Sequence, residues 1–134
     1  MIEVGFFREL RSLPKLPSLH SAISENRESD ATRLANYLDQ GEVLVTSGQL
    51  VNDVIDPSVE DVGLSGLRTD GKFVWPGTLG HYVRRYGVTL PEMFWEHARD
   101  LNFSPPVLSD EERVQAATVY QRIAFSSVDN EESP

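Results

Sequence analysis

Leu64-Ser-Gly-Leu-Arg-Thr-Asp-Gly-Lys-Phe-Val-Trp-Pro76, Gly77-Thr-Leu-Gly-His-Tyr-Val-Arg-Arg-Tyr-Gly87 and Thr89-Leu-Pro-Glu-Met-Phe-Trp-Glu-His97 follow one another almost without a gap. Asp70-Gly71 is a two-residue turn signal, because a type I′ turn needs positive φ at both central positions. That turn predicts a hairpin in which Leu67 faces Val74, Arg68 faces Phe73 and Gly66 faces Trp75. Both of its faces then carry apolar side chains, so helices must cover it. Leu79, Tyr82, Val83 and Tyr86 make an i, i+3, i+4, i+7 stripe that stops at Gly87. Thr89-Leu-Pro-Glu92 reads as a capping box with proline in the first turn, opening a helix that buries Leu90, Phe94, Ala98 and Leu101.

Upstream, Ile2, Val4 and Phe6 alternate with Met1, Glu3 and Gly5 and predict a first strand. Pro14 and Pro17 break the chain, and Ser18 is positioned to cap a short helix carrying Leu19, Ala22 and Ile23. After a polar bridge from Ser24 to Ser29, Asp30 is placed as N-cap for Ala31, Leu34, Ala35 and Leu38, with Gly41 as the stop. Val43-Leu-Val45 reads as a buried strand, turned back by Ser47-Gly48 into Leu50-Val51 and Val54-Ile55. Downstream, Ser109-Asp-Glu-Glu112 is a second capping box, followed by the stripe Ala116, Val119, Tyr120 and Ile123. The acidic, small residues over 127–134 predict a disordered tail behind one globular domain over 1–126. The expected class is α+β: a small, mainly antiparallel sheet with helices packed on it and a helical C-terminal half.

Composition narrows the function. With 134 residues and no cysteine, the chain is expected to rest on one hydrophobic core, without disulfides or thiolate metal ligands. The net charge of −9 argues against nucleic acid, whose phosphates call for clustered Lys and Arg. The same charge serves solubility, or steers the chain toward a basic protein. The longest apolar runs fall short of the ~20 residues a membrane span needs, and Glu3 and Glu9 make the start unlike a signal peptide. Cytoplasmic residence is the expectation.

Each candidate catalytic pattern meets a plainer explanation. Ser47-Gly48 and Ser65-Gly66 lack the Gly-x-Ser-x-Gly elbow, and Gly63, Gly66 and Gly71 lack phosphate-loop spacing. Glu92, Glu96 and Asp100 are unspecific in so acidic a chain. His97 and Asp100 at i, i+3 would need further metal ligands from elsewhere, whereas a solvated helix face with an Arg99–Glu96 pair accounts for the same residues. His81, Arg84 and Arg85 form a basic patch that either holds an anion or pairs with the chain's own acids. Catalytic residues, metal and cofactor are accordingly all expected to be absent.

Asp70-Gly-Lys-Phe-Val-Trp-Pro, the Leu79–Tyr86 stripe and the following Val-Thr-Leu-Pro-Glu-Met-Phe resemble a pattern in small bacterial immunity proteins of polymorphic toxin systems. There a DGxWxWP hairpin precedes LxYYVxxYxVxLPxEF. The chain departs from it at Phe73, where tryptophan is frequent, and at Gly80 and His81, where bulkier residues stand. The resemblance implies a cytosolic binder that neutralises a cognate toxin by occluding it, and its motif is structural, with no active-site residue to transfer. An enzyme with an unrecognised site and a regulatory or structural subunit are the alternatives. For a basic toxin, the expected contacts are Asp53, Asp56, Glu60 and Asp61, crowded in one loop between apolar runs. Trp95, off the main stripe of its helix, is either a second packing surface or an aromatic anchor for the partner.

Overall fold

The computed structural model describes residues 1–11, 14–24 and 29–118. Val119, Tyr120, Ile123 and the expected tail over 127–134 lie outside them, as does part of the polar bridge. The chain is α+β. Its elements run β1 (Ile2–Glu3), α1 (Arg8–Arg11), a 3₁₀ turn (His20–Ala22), α2 (Ala31–Asp39), β2 (Glu42–Val45), β3 (Leu50–Val51), β4 (Gly63–Leu64), β5 (Leu67–Thr69), β6 (Phe73–Pro76), α3 (Leu79–Tyr86) and α4 (Glu92–Asp100). A further helical stretch covers 110–118.

The main sheet has the order β1-β6-β5-β2, with β1 parallel to β6 and the other neighbours antiparallel. β3 and β4 form a separate antiparallel ribbon, so Leu50-Val51 pairs with Gly63-Leu64 and not back onto β2 as expected. β2 is an outer strand with an irregularity between Val43 and Val45, and Val43 is 40% exposed. Its apolar run therefore marks an edge strand, where one long side has no neighbouring strand among the described residues, and not the buried strand expected. The first strand is only two residues long, and Val4 and Phe7, instead of Phe6, go into the core.

The hairpin forms, two residues out of the expected register. Thr69 lies opposite Val74, Arg68 opposite Trp75 and Leu67 opposite Pro76. The reason is the Asp70 side chain. Its Oδ1 accepts the amides of Lys72 (3.0 Å) and Phe73 (2.8 Å), while the Asp70 amide donates to the Phe73 carbonyl (3.3 Å). An aspartate that takes over turn amides in this way moves the centre of the turn to Gly71-Lys72, and Gly71 alone of that pair has positive φ (97°). A slip of two residues leaves every side chain on its intended face, so the burial expected for the hairpin survives.

Phe73, Val74 and Trp75 of β6 are at most 1% exposed. Tyr37 from α2 and Phe94 from α4 close over them, with ring centroids 6.0 Å (Tyr37–Trp75), 5.0 Å (Phe73–Phe94) and 5.6 Å (Trp75–Phe94) apart. Burial of one such side chain contributes roughly 1.5–3 kcal/mol, and the Trp75 indole keeps its hydrogen bond by donating to the Leu38 carbonyl (3.0 Å). Gly41 matters less as a helix stop than as clearance. A Cβ there would collide with the Trp75 ring. At Gly80 a Cβ would lie 2.8 Å from the Ala35 carbonyl, so glycine is what lets α3 approach α2 so closely.

The helix ends divide into two kinds. Gly87 closes α3 in the left-handed region (φ 64°), donating to the Val83 carbonyl, as expected. The Ser109–Glu112 box forms in both directions, at 2.9 and 3.1 Å. The Thr89 box does not: Pro91 occupies the N-cap position of α4, without a side-chain bond. Thr89 instead donates its amide to Ala22 (2.7 Å), which ties the segment to the N-terminal half. Asp30 stands at the N-cap of α2, again without a side-chain bond.

Candidate functional site

Two aspartates are buried to the last carboxylate atom, and they share one design. Asp53, at the end of β3, turns inward. Its Oδ1 accepts the amides of Ile55 (2.7 Å) and Asp56 (2.9 Å), and its Oδ2 accepts Nε2 of His81 (2.8 Å) and the hydroxyl of Tyr86 (2.7 Å). Asp70, in the hairpin turn, holds the two turn amides with Oδ1. Its Oδ2 accepts the Tyr37 hydroxyl (2.5 Å) and Nε2 of His97 (2.8 Å). Each carboxylate side chain is 0% exposed, and its histidine is 17% or 19% exposed.

A buried carboxylate survives only where donors replace its lost hydration. Burial alone would raise the Asp53 pKa, but the bonds from His81, Asp56, Tyr86 and Ile55 outweigh it and hold the carboxyl at about 2. The tyrosines respond in the opposite sense. Burial and the adjacent Asp70 carboxylate push Tyr37 far up, and burial with Asp53 raises Tyr86. Tyr82, buried beside the same group, is pushed up to about 12 by burial, partly offset by the Val54 amide. Asp53 is therefore charged and all three phenols neutral near pH 7.

Asp53 thereby fastens the loop over 52–62 to α3. The loop closes on itself where the Asp53 amide donates to Val59 and the Val62 amide to Val51, both at 2.9 Å. Val54 donates its amide to the Tyr82 hydroxyl (2.9 Å), a second tie to α3. Of the expected contact acids, Asp53 is thus an internal fastening and not a surface group, because its four bonds consume both oxygens. Asp56 is half-buried, bonds Ser58 and lies 3.6 Å from Arg85. Glu60 and Asp61 face solvent, and Asp61 adopts a positive φ of 55°. Trp95 is 5% exposed and meets Phe103 edge-on, so it belongs to the core and is no exposed anchor.

The basic patch pairs internally: Arg84 bonds Asp39 (2.8 Å) and Arg85 lies near Asp56. Arg99 reaches Glu92 (3.1 Å), a turn beyond the Glu96 expected for it. His97 is turned to Asp70 and away from Asp100, and no cluster of metal-ligating side chains occurs among the described residues. Sequence reasoning missed the His81–Asp53 and His97–Asp70 pairs, since 28 and 27 residues separate the partners. The one local signal was an aspartate at the start of each turn, a residue suited to accept turn amides.

Comparison with known proteins finds no matching family model, no matching curated protein and no matching solved structure.

Proposed function

We propose that this chain is an immunity-type binding protein that acts in the cytoplasm, without turnover, by occluding a basic cognate toxin. The observation that supports this reading is the manner in which the acidic loop is held. Asp53 fixes the loop from inside, so Glu60 and Asp61, with Asp56 at their side, stand outward on an already ordered backbone. Ordering such side chains and loops on binding otherwise costs about 0.5–1.5 kcal/mol for each long side chain. Leu50 and Val54, exposed by 54% and 42%, border the acids and offer apolar contact. A rim of like charge beside apolar groups speeds encounter with a cationic surface and then holds it.

The experiment is capture of the product of the neighbouring gene, with association rates measured for the wild type and for Glu60→Lys combined with Asp61→Lys. The double variant is expected to associate more slowly and with a weaker dependence on salt. Wild-type kinetics in a folded double variant would remove the loop from the interface. A toxin neither captured nor inhibited by the wild type would refute the reading itself.

A further inference from the structure

Three tyrosines of α2 and α3 reach into the protein, and one of them is not like the others. Tyr37 and Tyr86 each donate their hydroxyl proton to an aspartate. The Tyr82 hydroxyl accepts the Val54 amide, and among the described residues nothing accepts its own proton. At 1% exposure, a donor so placed is expected to have a partner. Tyr82 is among the residues lining a pocket of about 170 Å³ between α1, the β3–β4 ribbon and the start of α3. That is room for roughly five water molecules, and small beside the pockets that hold drug-sized ligands.

We infer that this pocket binds a small uncharged molecule with an apolar body and one carbonyl oxygen, which accepts the Tyr82 proton. Leu10, Val51, Val54 and Leu64 supply the apolar wall. The charges around the hydroxyl are balanced and give an anion no net attraction. Glu9 lines the pocket, its carboxylate already accepting the Leu19 amide (2.8 Å), and Asp53 acts on Tyr82 from behind. Arg8, 3.5 Å from Glu9, and Arg11, which also lines the pocket, offset these two charges and leave the surroundings without net charge. A cation is refused as well, since the hydroxyl offers it a proton. Burial keeps that proton in place by pushing the Tyr82 pKa up to about 12. The site does not depend on the toxin-binding reading, although Asn52 and Val54 belong to both the pocket and the base of the acidic loop.

Isobutyramide is a suitable probe and isobutyrate its charged counterpart, titrated into the full ¹⁵N-labelled chain. The amide is expected to shift the backbone resonances of Asn52, Val54, Ser65 and Thr78 saturably, and more tightly than isobutyrate. Tyr82→Phe should weaken it about fivefold, the usual effect of one hydrogen bond. Because that variant also deprives Val54 of its acceptor, Leu64→Trp provides a second route: it fills the pocket, retains the hydroxyl and should abolish the shifts. Equal affinity in Tyr82→Phe, undiminished shifts in Leu64→Trp, tighter binding of isobutyrate, or no saturable shift in the wild type would each overturn the assignment.

Discussion

Asp53 and Asp70 are held by the same set of donors, two backbone amides, one histidine and one tyrosine, yet they do different work. Asp70 lies where three elements meet: the β5–β6 turn, α2 through Tyr37 and α4 through His97. Its histidine packs against Phe73 (4.9 Å between centroids), so the polar cluster is continuous with the aromatic core. Asp53 joins one loop to one helix, and its tyrosine is partly exposed. A buried carboxylate thus serves as a staple for the whole fold when its donors come from several elements. It serves as a local fastening when they come from one.

The comparison breaks most readily at Asp70. Asp70→Ala leaves Tyr37, His97 and two amides without an acceptor, and is expected to lower global stability by about 3 kcal/mol, read from chemical denaturation. Asp53→Ala should cost about 2 kcal/mol and act locally, with faster hydrogen exchange at Ile55, Asp56 and Val59 and little change in β6. Equal global effects from the two variants would erase the distinction between staple and fastening.

Acid sharpens the same contrast. The Asp53 carboxyl lies below its ordinary 3.8, at about 2. A depressed acid stabilises the fold fully above pH 3.8, and the contribution disappears as pH falls through 2. Over that window the Asp53 contribution, about 2 kcal/mol by linkage, should vanish from the stability curve, and Asp53→Asn should flatten that part of the curve. Gly80→Ala, which forces a methyl group toward the Ala35 carbonyl, should cost about 1–2 kcal/mol by separating α2 from α3. The smallest effect belongs to Tyr86→Phe. Loss of one hydrogen bond at a partly exposed site should cost about 1 kcal/mol and quicken exchange in the loop alone.

What could be read from the sequence follows the range of the interactions. The α3 stripe with its Gly87 stop, the Ser109–Glu112 box and the existence of the hairpin are matters of neighbouring residues, and the sequence announced them. The hairpin register failed because the Asp70 side chain, and not the type I′ backbone, set the turn. The burial of β2 failed because a short apolar run is the same string whether a neighbouring strand lies on one side of it or two. The site failed for a related reason. In sequence Asp53 is one of four crowded acids, and nothing nearby marks His81 and Tyr86 as its donors. Its crowding was real, but the burial of one member changes which acids a partner can meet.

The most direct test is a ¹³C titration of the side-chain carboxyl of Asp53 in the folded protein. An inflection near pH 2 is the expected result, with the carboxylate held by His81, Tyr86 and the two loop amides. An inflection at the ordinary aspartate value of 3.8 would contradict the account, since the carboxylate would then be facing water and the loop would not be fastened.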